Sequence, residues 1–209
     1  MTRTFTVALL IAMNMAIVAR AGDWPMWRYD SARSAVSPDG LPENLRLAWQ
    51  RDLPSNHVAW TNDPRLQFDA CIEPIVVGQT MLVASSTTDS VTAFDTESGR
   101  ELWRFYVDGP VRFAPVVWQG RAYFGADDGR FYCVDVGTGR LVWQFRAAPA
   151  DRRAVGNERL ISVWPARGGA VLGNDRLYFA VGVWPFEGSL LYSLDLRPDD
   201  AVPHYSVTT

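Results

Sequence analysis

Lysine is missing from the 209 residues, and all 20 cationic side chains are arginine. Formal net charge is −3, so no basic field exists to draw in DNA or RNA. Histidine and cysteine are scarce, with two of each, which leaves little material for a zinc site, a haem or an iron–sulfur cluster. Adjacent cysteines and a Cys-x-x-Cys-His run are both lacking. No apolar run reaches the roughly 20 residues that cross a bilayer as a helix. No segment after Ala21 carries a helical period. Tryptophan, by contrast, is abundant at nine residues, and the chain is 48% hydrophobic with 16 glycines and 13 prolines. That balance describes a globular protein and excludes a disordered, collagen-like or multi-span membrane chain.

The first residues read as an export signal. Arg3 supplies a positive start, residues 5–19 are apolar apart from Asn14, and Ala19-Arg20-Ala21 is a small-x-small cleavage site. Cleavage is expected after Ala21, releasing an acidic protein to the periplasm or exterior. No cysteine stands near the cleavage point to carry a lipid.

Self-similarity dominates the rest of the chain. Val91, Asp95, Gly99, Trp103 and Phe105 are matched by Phe131, Asp135, Gly139, Trp143 and Phe145, a spacing of 40 residues. Upstream, Glu73-Pro74 and Gly78 pair with Ala114-Pro115 and Gly120. A third copy runs from Gly169 to Asp195, with extra residues between Ala147 and Ala166 and again from Trp184 to Glu187. In the middle copy the breaks at Gln119-Gly120, Asp128-Gly129 and Thr138-Gly139 divide four strands, 114–119, 121–126, 130–135 and 140–145. Glycine at such breaks supplies the positive φ of tight hairpins.

Four-stranded antiparallel units of this length stack as blades. The expected fold is therefore all-β: a partial β-propeller of about three blades with its ring incomplete. Blades are expected at 70–107, 110–147 and 164–200, after a segment 22–69. The third is expected to lack its last strand, and the tail 201–209 matches nothing in the repeat. Further blades, or further copies of the chain, would then be needed to close the ring.

The pattern Ala93-x-Asp95-x-x-Ser98-Gly99-x-x-x-Trp103 resembles the tryptophan-docking motif of pyrroloquinoline-quinone-type propellers. Quinoprotein alcohol dehydrogenases and the propeller subunit of the outer-membrane assembly machine share that motif. The opening Gly22-Asp-Trp-Pro-Met-Trp-Arg-Tyr-Asp is similar to the start of many exported proteins with such propellers. The resemblance implies a structural role for Ala93, Asp95, Gly99, Trp103, Asp135, Gly139 and Trp143. Each Trp lies flat between blades with its N–H on a backbone acceptor, and each Asp accepts hydrogen bonds from the turn ahead of the Gly. Trp49 looks like an outer strand of the same type, one that completes a blade and closes the ring.

Chemistry is harder to find in the pattern. Cys71, read onto a first strand, and Cys133, on a third strand, are expected to be buried free thiols. His57 and His204 are expected at the surface without a role. Asp127-Asp128 and Asp199-Asp200 are expected in solvated turns. The positions leading into the innermost strands are Asp69, Glu73, Arg112 and Arg167, with Phe68, Phe113 and Trp164 around them. Glu73, Arg112, Trp164 and Arg167 are thus candidates for an anionic or planar ligand such as a quinone carboxylate, the alternative being that the arginines pair with carboxylates across blades. These features imply an exported binding or scaffold propeller with protein partners or a small anionic ligand; the resemblance to the outer-membrane assembly subunit implies, as a further alternative, a propeller that works by protein interaction. The dehydrogenase resemblance implies instead one part of a quinone-dependent enzyme, with pyrroloquinoline quinone as cofactor. Neither a catalytic residue nor a metal ligand is assigned.

Overall fold

The computed structural model describes residues 22–41, 43–156, 158–184, 186–196 and 205–208. The expected leader, Asp199-Asp200 and His204 lie outside the described residues. The only helical element described is a 3-10 turn, Pro64–Leu66.

Three four-stranded antiparallel sheets succeed one another along the chain, each strand paired to the next in sequence. The first holds β1 (Ile75–Val77), β2 (Thr80–Ser85), β3 (Ser90–Asp95) and β4 (Glu101–Tyr106). The second holds β5 (Val116–Trp118), β6 (Arg121–Gly125), β7 (Arg130–Asp135) and β8 (Leu141–Arg146). A separate hairpin, β9 (Arg153–Gly156) and β10 (Arg159–Ser162), precedes the third sheet of β11 (Val171–Gly173), β12 (Arg176–Val181), β13 (Leu190–Asp195) and β14 (Tyr205–Thr208). The described sheets form no closed ring.

The inner hairpins are as tight as the turn residues require. Gln119 and Gly120 both have positive φ, 47° and 73°, and Asn174 and Asp175 repeat this at 50° and 58°. Two consecutive left-handed residues make the two-residue turn that matches strand twist.

Strand β14 corrects the expectation of a truncated third blade and an unmatched tail. Tyr205 to Thr208 pair with Leu194 to Leu191 along β13, and the Tyr205 ring stacks on Phe145 of the second blade at 5.3 Å. Alternating aromatic and β-branched residues are enough to pair there, without the Gly and Trp of the motif.

Stacking of blades decides which residues are buried. In the second blade Tyr123, Phe131 and Cys133 face a core shared with Leu177, Phe179 and Tyr192 of the third. Their sequence neighbours Phe124, Tyr132 and Val134 face the other way, onto Ile75, Leu82 and Val91 of the first. A strand covered on both sides loses the polar alternation of a half-exposed one. The third blade keeps that alternation: Leu177 and Leu194 are fully buried while Tyr178 and Leu191 reach solvent.

The docking motif behaves as expected at two interfaces. Trp103 Nε1 donates to the Val136 carbonyl at 2.8 Å, and Trp49 Nε1 donates to that of Thr96 at 2.8 Å. Trp49 is in no strand, so the expected outer strand is corrected to an irregular segment that docks through side chains, the Trp49 ring and the Arg51 guanidinium, which donates to the Gly99 carbonyl at 2.6 Å. Gly99 and Gly139 sit under these rings with φ of 67° and 69°, and a Cβ on either would lie within 2.6 Å of indole carbon. Asp95 Oδ1 accepts from the Ser98 amide and hydroxyl, and Asp135 Oδ1 does the same for Thr138.

The segment 22–35 laces across all three blades. Trp24 exchanges two backbone bonds with Val76 of β1, the Pro25 carbonyl accepts from Val117 of β5 at 2.8 Å, and the Arg33 guanidinium donates to the Gly169 and Ala170 carbonyls ahead of β11.

Candidate functional site

The segments leading into the blades and the 126–129 turn bring four charged side chains together. Asp69, Arg112, Asp127 and Arg167 are each at most 7% exposed. Arg167 forks onto Asp127, with Nε to Oδ1 and Nη2 to Oδ2 both at 2.7 Å. Arg112 Nε donates to the same Asp127 Oδ2 at 2.7 Å. Its Nη1 donates to Asp69 Oδ2 and to the His57 carbonyl, while Asp69 Oδ2 also accepts from the Ala59 amide. Two carboxylates therefore balance two guanidiniums inside the protein, and each charge-assisted bond is short and directional.

The expected solvated turn at Asp127-Asp128 is corrected here. Both carboxylates are buried, because the turn is enclosed by residues from neighbouring segments: the Ser162 amide donates to the Asp127 carbonyl, and the Ala166 amide to that of Ala126. Burial raises the carboxyl pKa of Asp128 above its ordinary range, against the lowering effect of hydrogen bonds from the Tyr132 hydroxyl and the Arg130 amide. Tyr132 is raised in turn, first by burial and then by the Asp128 charge. The β9–β10 hairpin reaches back to the first blade, where Arg159 donates to the Ser86 carbonyl at 3.2 Å and pairs with Asp89. Burial raises Asp89 despite that pairing.

Two polar atoms of the network are buried without a partner, Asp69 Oδ1 and Arg112 Nη2. Arg112 also lines a cavity of about 30 Å³ with Trp27, Phe68, Cys71, Glu73, Phe113 and Ala114. Phe68 and Phe113 stack there at 5.5 Å with an angle of only 4° between planes. Trp60 sits over Arg167, with the guanidinium 5.1 Å from its ring centre.

Of the candidates read from sequence, the fold brings Arg112 and Arg167 onto one carboxylate and puts Glu73 on the same cavity as Arg112. Trp164 is held elsewhere: its Nε1 donates to the Glu187 carbonyl and its ring lies under Arg152. Cys71 is exposed, a correction, since it precedes β1 and lies on no strand. Cys133 is buried, and burial pushes its thiol pKa up to about 12. His57 contributes backbone, its carbonyl to Arg112 and its amide to Ser86 Oγ. Sequence reasoning missed Trp60 and the joining role of Asp127; both lie on irregular segments whose partners are distant in sequence.

A family model described as outer membrane protein assembly factor BamB, built on the PQQ-like repeat, matches residues 15–195. The chain belongs to the PQQ-like repeat family. Several curated relatives in this family are dehydrogenases. Similarity to 1-butanol dehydrogenase (cytochrome c) of Thauera butanivorans is 27% identity over 82% of this chain and 25% of that protein. The dehydrogenase subunit of the quinone alcohol dehydrogenase of Gluconobacter oxydans is 29% identical over 73% of this chain and 21% of its own length. This PQQ-like chain thus spans about a quarter of the length of the curated relatives it matches. Among solved structures, quinohemoprotein alcohol dehydrogenase of Comamonas testosteroni superposes over 92% of this chain and 28% of its own, with a TM-score of 0.63 at 23% identity. A europium-containing methanol dehydrogenase covers 85% of this chain and 30% of its own, with a TM-score of 0.57 at 19% identity. Both establish the propeller fold. Among the described residues no helix is long and apolar enough to cross a membrane.

Proposed function

We propose that this chain supplies blades to an exported quinone-dependent alcohol dehydrogenase propeller, with Glu73 and Arg112 on the wall of the quinone site. The observation that carries the reading is that Arg112 lines a cavity with Glu73 and two stacked phenyl rings while its Nη2 atom is buried with no protein acceptor. A buried guanidinium N–H without a partner is costly and is satisfied by a bound acceptor. Pyrroloquinoline quinone fits that position in part. A carboxylate oxygen of the quinone suits Nη2, and Phe68 and Phe113 suit a planar ring.

The cavity, however, has room for a small group and not for a tricyclic ring system, so the remaining walls come from other blades. Asp127 accepts from both arginines and Asp69 accepts from Arg112 through Oδ2, which makes Asp69, Asp127 and Arg167 residues that position Arg112. When bound, the quinone supplies the two-electron oxidation of an alcohol. This chain orients one anionic arm and, through its aromatic residues, keeps water from it.

The similarity to alcohol dehydrogenases favours this reading over a purely non-catalytic scaffold. The test is a titration of the native exported protein with pyrroloquinoline quinone, comparing Arg112→Ala with the parent. Affinity is expected to fall at least tenfold, about 1.4 kcal/mol. Equal affinity in both proteins, or no binding in either, overturns the reading. The intact mass of the exported form checks both the start at Gly22 and the source of the remaining blades.

A further inference from the structure

The third repeat unit departs from the forty-residue pattern twice, and the two departures meet in space. The residues inserted before the third blade carry Arg152, Ala154 and Val163. Those inserted between β12 and β13 carry Trp184, Phe186 and Glu187. Together these six line a surface pocket of about 240 Å³. Arg152 forks onto Glu187 across the junction, Nη2 to Oε1 at 3.0 Å and Nη1 to Oε2 at 3.3 Å. Trp164 fixes the second insertion from below by donating to the Glu187 carbonyl at 2.8 Å. Trp184 packs edge-on against Trp60 at 6.4 Å, and Phe186 lies within 20° of the Trp184 plane. Loops set on a rigid repeat are where binding residues concentrate.

We infer that this pocket binds a sugar ring at the end of a neutral saccharide. The occupant must be uncharged, since Arg152 and Glu187 already neutralise one another. An alkyl chain gains by enclosure, and this pocket does not enclose: Phe186 is 82% exposed. A pyranose gains from that arrangement. Its flat C–H face covers the aromatic ring, its outward hydroxyls stay hydrated, and neighbouring hydroxyls meet the planar Arg–Glu fork, whose oxygens and N–H groups have capacity to spare. Phe186 and Trp184 supply the platform, and Arg152 and Glu187 the hydrogen bonds.

The experiment uses the whole exported protein without quinone, so its outcome does not depend on the dehydrogenase reading. Maltotetraose, cellotetraose and chitotetraose are titrated by calorimetry and by the indole N–H resonances of Trp184 and Trp164, assigned through their Phe variants. At least one saccharide is expected to bind with a Kd on the order of 1 mM and to move the Trp184 signal. Phe186→Ala should weaken it about tenfold, and because that ring is exposed the variant folds, as near-ultraviolet circular dichroism verifies. Glu187→Gln should weaken it about threefold. Silence at about 20 mM of all three sugars, binding that survives Phe186→Ala, or displacement of the sugar by 1-hexanol overturns the inference. So does a Phe186→Ala variant that alters sedimentation instead, which would make the ring a protein contact.

Discussion

Aspartate serves two opposite environments in this molecule, the docking turns and the buried network. Asp95 and Asp135 sit at the outer turns, and each takes its hydrogen bonds from a residue three positions ahead. Asp69 and Asp127 sit inside and take theirs from arginines 15 to 43 residues away. An outer carboxylate stays solvated, so its loss removes a local brace. An inner carboxylate is the counter-charge of groups that water cannot reach. The same residue type is thus replaceable in one place and indispensable in the other.

The contrast can be broken most directly at Asp127. Asp127→Ala leaves Arg112 and Arg167 buried without their shared partner, and a loss of about 3–5 kcal/mol is expected in urea unfolding. Asp127→Asn, which keeps acceptors for one guanidinium, should lose less. Next in size is Gly139→Ala, which forces a side chain into left-handed backbone and against the Trp103 ring; a loss of about 2 kcal/mol or more is expected. Gly137→Ala in the same turn meets only Asp135 Oδ1 at 3.5 Å and serves as the near-neutral control.

Protonation sharpens the comparison further. Hydrogen bonds from Ser98 lower the Asp95 carboxyl below its ordinary value. Its contribution to stability is therefore present above the unfolded pKa and is lost as pH falls through the native one. Burial raises Asp128, so its contribution is complete below the unfolded pKa and is lost as pH rises through the native one. Thermal melts between about pH 3 and 8 are expected to show Asp95→Asn removing part of the acid-side fall, and Asp128→Asn part of the fall on the other side. The smallest effect is on labelling. Native protein at neutral pH should take one equivalent of iodoacetamide, at exposed Cys71, and a second at Cys133 only on unfolding. Two rapid equivalents would mean that the second blade's interior opens.

Legibility in the sequence divides along the same line. Blade order, turn residues and the partners of Trp103, Asp95 and Asp135 are readable because the repeat states each twice and each contact is local or falls one blade on. Arg130–Asp135 matches the expected third strand residue for residue, and the neighbouring strands differ by two residues or fewer at each end. The network at Asp127 is half readable: pairing of Arg112 and Arg167 with carboxylates across blades is an alternative the sequence offers, but Asp127 as the shared carboxylate is not, because both arginines lie on blade-entry segments and not on the repeated motif, and an Asp-Asp-Gly turn looks solvated until neighbouring segments cover it. Strand β14 is hidden for a related reason: pairing needs only the backbone and a suitable alternation, whereas a repeat search asks for the motif. Cys71 looks buried in sequence because the repeat register extends the first strand further back than Ile75.

The lacing of residues 22–35 also sets an order in time. This segment is the first of the described residues to be synthesised, yet its bonds run to Val76, then Val117, then Gly169 and Ala170. Its last contact spans 137 residues of chain. Until the third blade begins to form, Arg33 has no acceptors there and the strap cannot be tied. Closing a loop of such length carries a large entropic cost before its contacts reward it, so residues 22–35 tie the first blade to the third only once the third is there to receive them.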